Sequence, residues 1–199
     1  MALYPAIYAV GKSLEQFLQS SYPADLKGSF PCTFRLVSSS EMAAEDTEKF
    51  DQTVTLFLHR ITTNENFRAV TSLRDSPGAQ PVLYLDLHYL ISYWGTGTGA
   101  GAEQTVLAWT MQQLQSNPIL DSSIFSLSGV AAGWDLGETI QLVPADLSLQ
   151  DILDIWDALG PKYRLSFSYL ARVVRIQTSV PTEMPVVATR FTLQDGGAS

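Results

Sequence analysis

The most suggestive spacing in the sequence belongs to the glycines of WGTGTGAGAEQ: Gly95, Gly97, Gly99 and Gly101. They lie between an apolar segment and one with helical spacing, where a dinucleotide-binding fold places its Gly-x-Gly-x-x-Gly phosphate loop. That fold also needs an acidic residue about 20 positions later to hold the ribose. Gln115 stands there, and no Lys-Ser or Lys-Thr pair follows the glycines. The pattern therefore favours a pliable connector over a phosphate site.

A second candidate for chemistry is the pair Asp86 and His88 in PVLYLDLHYLISYW (81–94). On a strand, residues two apart point to the same face, so both side chains could meet one metal ion. A metal site needs at least three ligands, and His59 is the one other histidine of the chain. The alternative is that the two side chains bond each other or nearby backbone within a sheet. We favour this second interpretation and expect no metal ion.

Nucleophilic catalysis is not indicated by the other residues. The sequence holds no Gly-x-Ser-x-Gly turn, which is the usual setting of a serine nucleophile in an α/β-hydrolase. Cys32 is the single cysteine, so no disulfide forms within the chain, and we expect its thiol to pack as a small apolar group. We therefore expect no catalytic residues and no cofactor.

An acidic stripe is predicted on the helix SLQDILDIWDALG (148–160). Its members recur at steps of three: Asp151, Asp154 and Asp157. The opposite face is a predicted buried stripe of Leu149, Ile152, Trp156 and Leu159. A solvated helix face explains such a stripe, and a docking surface for a basic partner is the alternative.

Composition limits the classes of partner. The chain has 199 residues and a net charge of −8, and 16% of its residues are charged, against about 25% in an ordinary domain. Its weak basic cluster consists of Lys162, Arg164, Arg172, Arg175 and Arg190. Nucleic acid binding depends on dense Lys and Arg patches that release counterions, so we exclude nucleic acid as a partner.

Targeting signals are also not indicated. The N-terminal stretch MALYPAIYAVGKSLEQ lacks the basic start and the uninterrupted apolar core of a signal peptide. The sequence contains no apolar run of about 18 residues, the length that a membrane helix needs. We expect a cytoplasmic protein without direct membrane insertion.

The order of predicted elements indicates the fold class. Apolar periodicity predicts helices over 5–20, 102–115 and 148–160, and strands over 32–37, 53–61, 81–94, 139–144, 164–176 and 185–193. The segments 20–31 and 116–138 are predicted to be loops. The strand 81–94 is apolar on both faces, which predicts a central place in the sheet. Ser148 and Asp151, three positions apart, predict a capped start of the helix 148–160. Because strands and helices do not alternate regularly, we predict a single α+β domain with a mixed or antiparallel sheet flanked by about three helices.

Four segments together resemble a known family. They are TVTLFLHRITTNENFR (53–68), LYLDLHYLIS (83–92), AEQTVLAWTMQQLQSNPIL (102–120) and LSLQDILDIWDALGPKYRLSFSYLARVVRI (147–176). In order and spacing the chain is similar to the cap proteins, or tube-and-sheath terminators, of extracellular contractile injection systems of the antifeeding-prophage and virulence-cassette type. The glycine-rich stretch falls where that family carries a short polar insertion.

The resemblance implies a structural protein and not an enzyme, with a fold similar to phage tail terminators. It implies a six-fold ring of copies that contacts the inner tube and the sheath within an assembled phage-tail-like particle. The domain would span residues 1–180, and residues 181–199 would form a C-terminal strand or extension.

Two surfaces are the candidates for partner contact under this interpretation. One is the acidic stripe of Asp151, Asp154 and Asp157. The other is the β-prone segment PVVATRFTL (185–193), through Val186, Val187, Thr189 and Phe191, which would pair with a neighbour as an added strand or form an edge strand of its own sheet. The alternatives are a general protein-interaction adaptor with the same fold and, at a distance, a nucleotide-binding enzyme that uses residues 95–101.

Overall fold

The computed structural model describes residues 4–43, 50–64, 82–121, 124, 134 and 138–177. The helices of this part are α1 (Ala6–Ser21), α2 (Ala24–Ser29), α3 (Ser39–Met42), α4 (Ala100–Ser116) and α5 (Leu149–Leu159). Its strands are β1 (Thr33–Val37), β2 (Thr53–Thr63), β3 (Val82–Trp94), β4 (Ile119–Leu120), β5 (Ile140–Ala145) and β6 (Ser166–Gln177). The predicted strand 185–193 lies outside the described residues.

The strands form one mixed sheet in the order β1-β2-β3-β6-β5-β4. The pair β1 and β2 is parallel, and the other neighbouring strands are antiparallel. The sheet and the three long helices confirm the predicted α+β class. β3 is central, as its apolar residues on both faces predicted, because a strand that is buried on both sides needs a core on each.

Two separate cores cover the two faces of the sheet. On one face, α1 and α4 pack against a large apolar cluster that includes Leu87, Tyr89 and Ile91 of β3. On the other face, α5 packs against a smaller aromatic cluster, in which the rings of Trp94 and Trp156 lie 5.7 Å apart. α5 is therefore anchored by one deeply buried side chain, since Trp156 is its single fully buried residue.

Two short elements lie where loops were predicted, so those two predictions were wrong. α2 fits between Pro23 and Phe30, and the hydroxyl of Tyr22 donates to the carbonyl of Phe30 at 2.7 Å to hold its end. β4 contains only Ile119 and Leu120, which pair with β5. Elements this short carry no periodicity, so tertiary contacts and not local pattern define them.

Candidate interaction surfaces

The glycine-rich stretch connects β3 to α4, which begins directly after Gly99. Both neighbours of β3 are antiparallel to it, whereas a dinucleotide-binding loop follows a strand with parallel neighbours. The amide of Thr96 donates to a carboxylate oxygen of Asp51 at 2.8 Å. A phosphate would compete with this carboxylate for the amide and be repelled by its charge. The geometry fits a connector and not a phosphate cradle.

Asp86 lies at the centre of the sheet, is only 8% exposed and makes several polar contacts. Both of its carboxylate oxygens accept from the Nδ2 amide of Asn64 at 3.0 Å. The backbone amide of Val173 donates to Oδ1 at 3.1 Å, and Nε of Arg172 lies 3.7 Å from Oδ2. The carboxylate is thus bonded by Asn64, directly after β2, and by the backbone of β6. The backbone contact is of the kind expected from the sequence, whereas the contact with Asn64 was not expected.

The bond from Val173 holds a β-bulge in place. Leu85 pairs with Val174 and Leu87 with Ala171, so Arg172 and Val173 together face Asp86 alone. Val173 has a φ of 66°, a left-handed conformation that costs a residue with a Cβ about 1–2 kcal/mol. A charge-assisted hydrogen bond to the Asp86 carboxylate offsets a cost of this size.

The two histidines are adjacent, with ring centroids 6.0 Å apart. Burial, with the nearby His88 and Arg60 adding to it, lowers the pKa of His59 to about 4. Burial likewise lowers the pKa of His88, whose Nε2 lies 3.0 Å from the hydroxyl of Thr62. Within the described residues no three His, Cys, Asp or Glu side chains cluster to hold a metal ion.

The thiol of Cys32 is buried, as predicted. Burial raises its pKa to about 12, although a backbone hydrogen bond from Val54 acts in the opposite direction. The thiol is therefore protonated at neutral pH.

One edge of the sheet is closed by side chains of α1. The outward amides of the edge strand β1 belong to Phe34 and Leu36. Gln19 Oε1 accepts from the first at 2.9 Å, and Glu15 Oε2 accepts from the second at 2.7 Å. An incoming strand would need these two donors, so α1 blocks strand addition at β1.

The opposite edge is protected in a different way. β4 covers only the start of β5, where the amide of Leu142 donates to the carbonyl of Pro118 at 2.7 Å. Amides of alternate residues face the same edge, so position 144 would offer the next donor. Pro144 stands there and has no N–H.

Helix α5 presents its acids to solvent. Asp151, Asp154 and Asp157 are all exposed. Asp151 completes a capping box with Ser148, as the sequence predicted, and Asp154 accepts from the side chain of Gln150 at 2.7 Å. The predicted buried stripe was wrong at one position, because Leu149 is 66% exposed. It lies in the first turn, beyond the reach of the core around Trp156.

A hollow of about 420 Å³ opens on the sheet where β3, β4, β5 and β6 meet. Two arginines line it, Arg172 and Arg175, together with Gln141, Thr139 and the exposed Ile119. The sequence had shown these arginines as part of a weak basic cluster, but their convergence depends on the bulge at Val173.

The sequence of the chain matches a known protein family. The model of the Pvc16 N-terminal domain matches residues 9–189. The chain belongs to this family. No curated protein matches the chain. Among the described helices, none has the length and apolarity to cross a membrane.

Two solved structures share the fold. The first is the sheath/tube terminator of a PVC extracellular contractile injection system in its extended state, at 20% identity and a TM-score of 0.54, over 96% of this chain and 64% of that one. The second is the tube-terminating cap of the anti-feeding prophage, at 18% identity and a TM-score of 0.56, over 97% of this chain and 62% of that one. The chain thus spans less than two thirds of each terminator.

The structure places only some of the contact residues that the sequence predicted. The three aspartates of α5 are exposed at the surface, and their contact with a partner stays a prediction. Val186, Val187, Thr189 and Phe191 lie outside the described residues. The closed edge at Glu15 and Gln19 was missed, because only the tertiary fold brings α1 beside β1.

Proposed function

We propose that this protein is a structural cap that ends the inner tube and sheath of a contractile, phage-tail-like injection particle and holds the sheath extended. The family match over most of the chain carries this proposal. It is supported by the fold shared with two terminators across 96% and 97% of the chain.

The physical features of the surface suit such a role. A tube end exposes one ring of unsatisfied contacts, and a cap has to match that ring without offering a new site for growth. The blocked amides at β1 and the proline at β5 give the described sheet two edges that resist strand addition. A ring of copies adds weak contacts to the tube end through avidity.

A non-enzymatic role also agrees with the polar centre of the sheet. Asp86 and His88, the pair with the spacing of metal ligands, bond Asn64, Val173 and Thr62. These contacts connect β3 to the neighbouring strands β2 and β6. We propose that the chain acts by binding other protein copies, within the particle, and not by converting a substrate.

The partners under this proposal are further copies of the chain in a six-fold ring, the inner tube protein and the sheath protein. Residues 1–180 would form the capping domain. Residues 181–199 would extend from it and pair as a strand with a sheath subunit, through Val186, Val187, Thr189 and Phe191. A second copy of the chain is a poor acceptor, because both edges of its described sheet resist strand addition. Deletion of 182–199 tests this extension: loss of sheath attachment by otherwise folded protein is expected, and normal attachment would overturn it.

Location within the particle tests the capping role. An epitope tag fused to the chain, detected with gold-labelled antibody in the electron microscope, should mark only the end distal to the baseplate. A tag on sheath protein is the control and should label along the length. Absence of label from that end, or label along the whole sheath, would contradict a cap and favour an adaptor.

A further inference from the structure

Helix α5 carries an apolar and acidic face that points away from its own core. Leu149, Leu153 and Asp157 stand four positions apart and form one row on the helix. The two leucines are 66% and 40% exposed. The next row contains Gln150 and Asp154, whose side chains bond each other. The outward face is therefore a leucine row flanked by carboxylates.

The hollow beside β6 has the complementary chemistry. Arg172 and Arg175 supply guanidinium groups, and Ile119, 56% exposed, supplies an apolar wall. Arg172 meets Asp86 only at 3.7 Å and Arg175 meets Glu138 only at 3.9 Å, both longer than a hydrogen bond. A guanidinium has five N–H donors, so each arginine retains donors for an incoming carboxylate.

The bulge explains why the two arginines point the same way. Residues three apart on a regular strand point to opposite faces of a sheet. Val173 is the extra residue of the bulge and shifts the alternation of side chains by one position. Arg172 and Arg175 therefore lie on the same face of the sheet. Bulges commonly re-aim side chains in this manner. Asp86, by holding the amide of Val173, sets the geometry of the hollow.

We propose that the hollow of one copy receives the outward face of α5 from a second copy. The charges are complementary, and each side pairs its charges with exposed apolar groups, Leu149 and Leu153 on the helix and Ile119 in the hollow. The two surfaces differ, so the contact is heterologous, and repetition around an axis closes a ring. This inference rests on the proposed cap and specifies how its ring is built.

Reciprocal charge reversal tests the pairing. Asp157→Arg damages the helix side of every contact, and Arg175→Asp damages the hollow side. Each variant alone should associate more than about ten-fold more weakly than wild type by analytical ultracentrifugation, because like charges then face each other across the contact. An equal mixture of the two variants should regain association, since one contact is wild type and the other is restored with reversed charges.

Asp25→Arg and Lys27→Asp are the matched controls, because both residues are exposed on α2, away from these surfaces. They should leave association unchanged, and circular dichroism should show all variants folded. Association unaffected by either reversal, failure of the mixture to recover, or a wild-type chain that stays monomeric to millimolar concentration would overturn the pairing. Particles that remain normally capped in the presence of the reversals would overturn the pairing alone and leave the capping function standing.

Discussion

The carboxylate of Asp86 on β3 accepts a hydrogen bond from the backbone amide of Val173 on β6 at 3.1 Å. This contact joins a buried charge to the one valine of the described chain that has a positive φ. Because the bulge at Val173 orients Arg172 and Arg175, a side chain in the sheet interior determines the shape of an outer surface. Position 86 therefore contributes to the construction of this surface.

Asp86→Ala should lower the free energy of unfolding by about 2–3 kcal/mol, because it removes the carboxylate that accepts hydrogen bonds from Asn64 Nδ2 and from the Val173 amide. Urea denaturation followed by tryptophan fluorescence measures the change. In a Val173→Gly background the loss should be smaller, since glycine adopts a positive φ without strain. The exposed Asp154→Ala is the control, with a change below about 0.5 kcal/mol. Equal effects of Asp86→Ala in both backgrounds would contradict this account of the bulge.

Stability should fall as the pH decreases from about 6.5 to about 4 through His59. Burial lowers the folded-state pKa of this residue to about 4, so in this window the unfolded chain binds a proton that the folded chain does not. The stabilising effect of the neutral imidazole is complete above the unfolded pKa and is lost as the pH falls. Urea midpoints at pH 7, 6 and 5 measure the slope, and His59→Leu should flatten it. An identical slope in the variant would show that His59 does not contribute.

Removing the two acceptors on α1 should open the edge of β1. In the double variant Glu15→Ala and Gln19→Ala, the amides of Phe34 and Leu36 lose their partners and become available to another chain. Light scattering should then show concentration-dependent association by a folded protein. Gln16→Ala, on the same helix, is the control and should remain unchanged. A double variant with wild-type scattering would mean that α1 does not guard this edge.

The sequence was most informative where local pattern and fold agree. The double-sided apolar run of β3 predicted its central place, and Ser148 with Asp151 predicted the start of α5, which ends at Gly160 with a φ of 88°. At Val173 the local preference opposes the structure, since a β-branched residue disfavours a positive φ. Only pairing with β3 fixes that bulge, so the hollow could not be predicted.

Long-range contacts explain the other differences. Glu15 reaches Leu36, 21 positions later, and such a bond between a helix side chain and an edge strand leaves no periodic signal. Leu149 matches the apolar spacing of α5, yet its exposure depends on where the core around Trp156 ends. Periodicity identified the apolar rows of the helix but not which row faces the core and which is exposed.

The length of particles made without this chain tests the capping function most directly. Negative-stain microscopy of particles from cells that lack it should show tubes of uncontrolled length or sheaths that do not stay extended. Restoring the wild-type chain from a plasmid should return one narrow length class with extended sheaths. Particles of normal length with stable, extended sheaths in the absence of the chain would contradict the account.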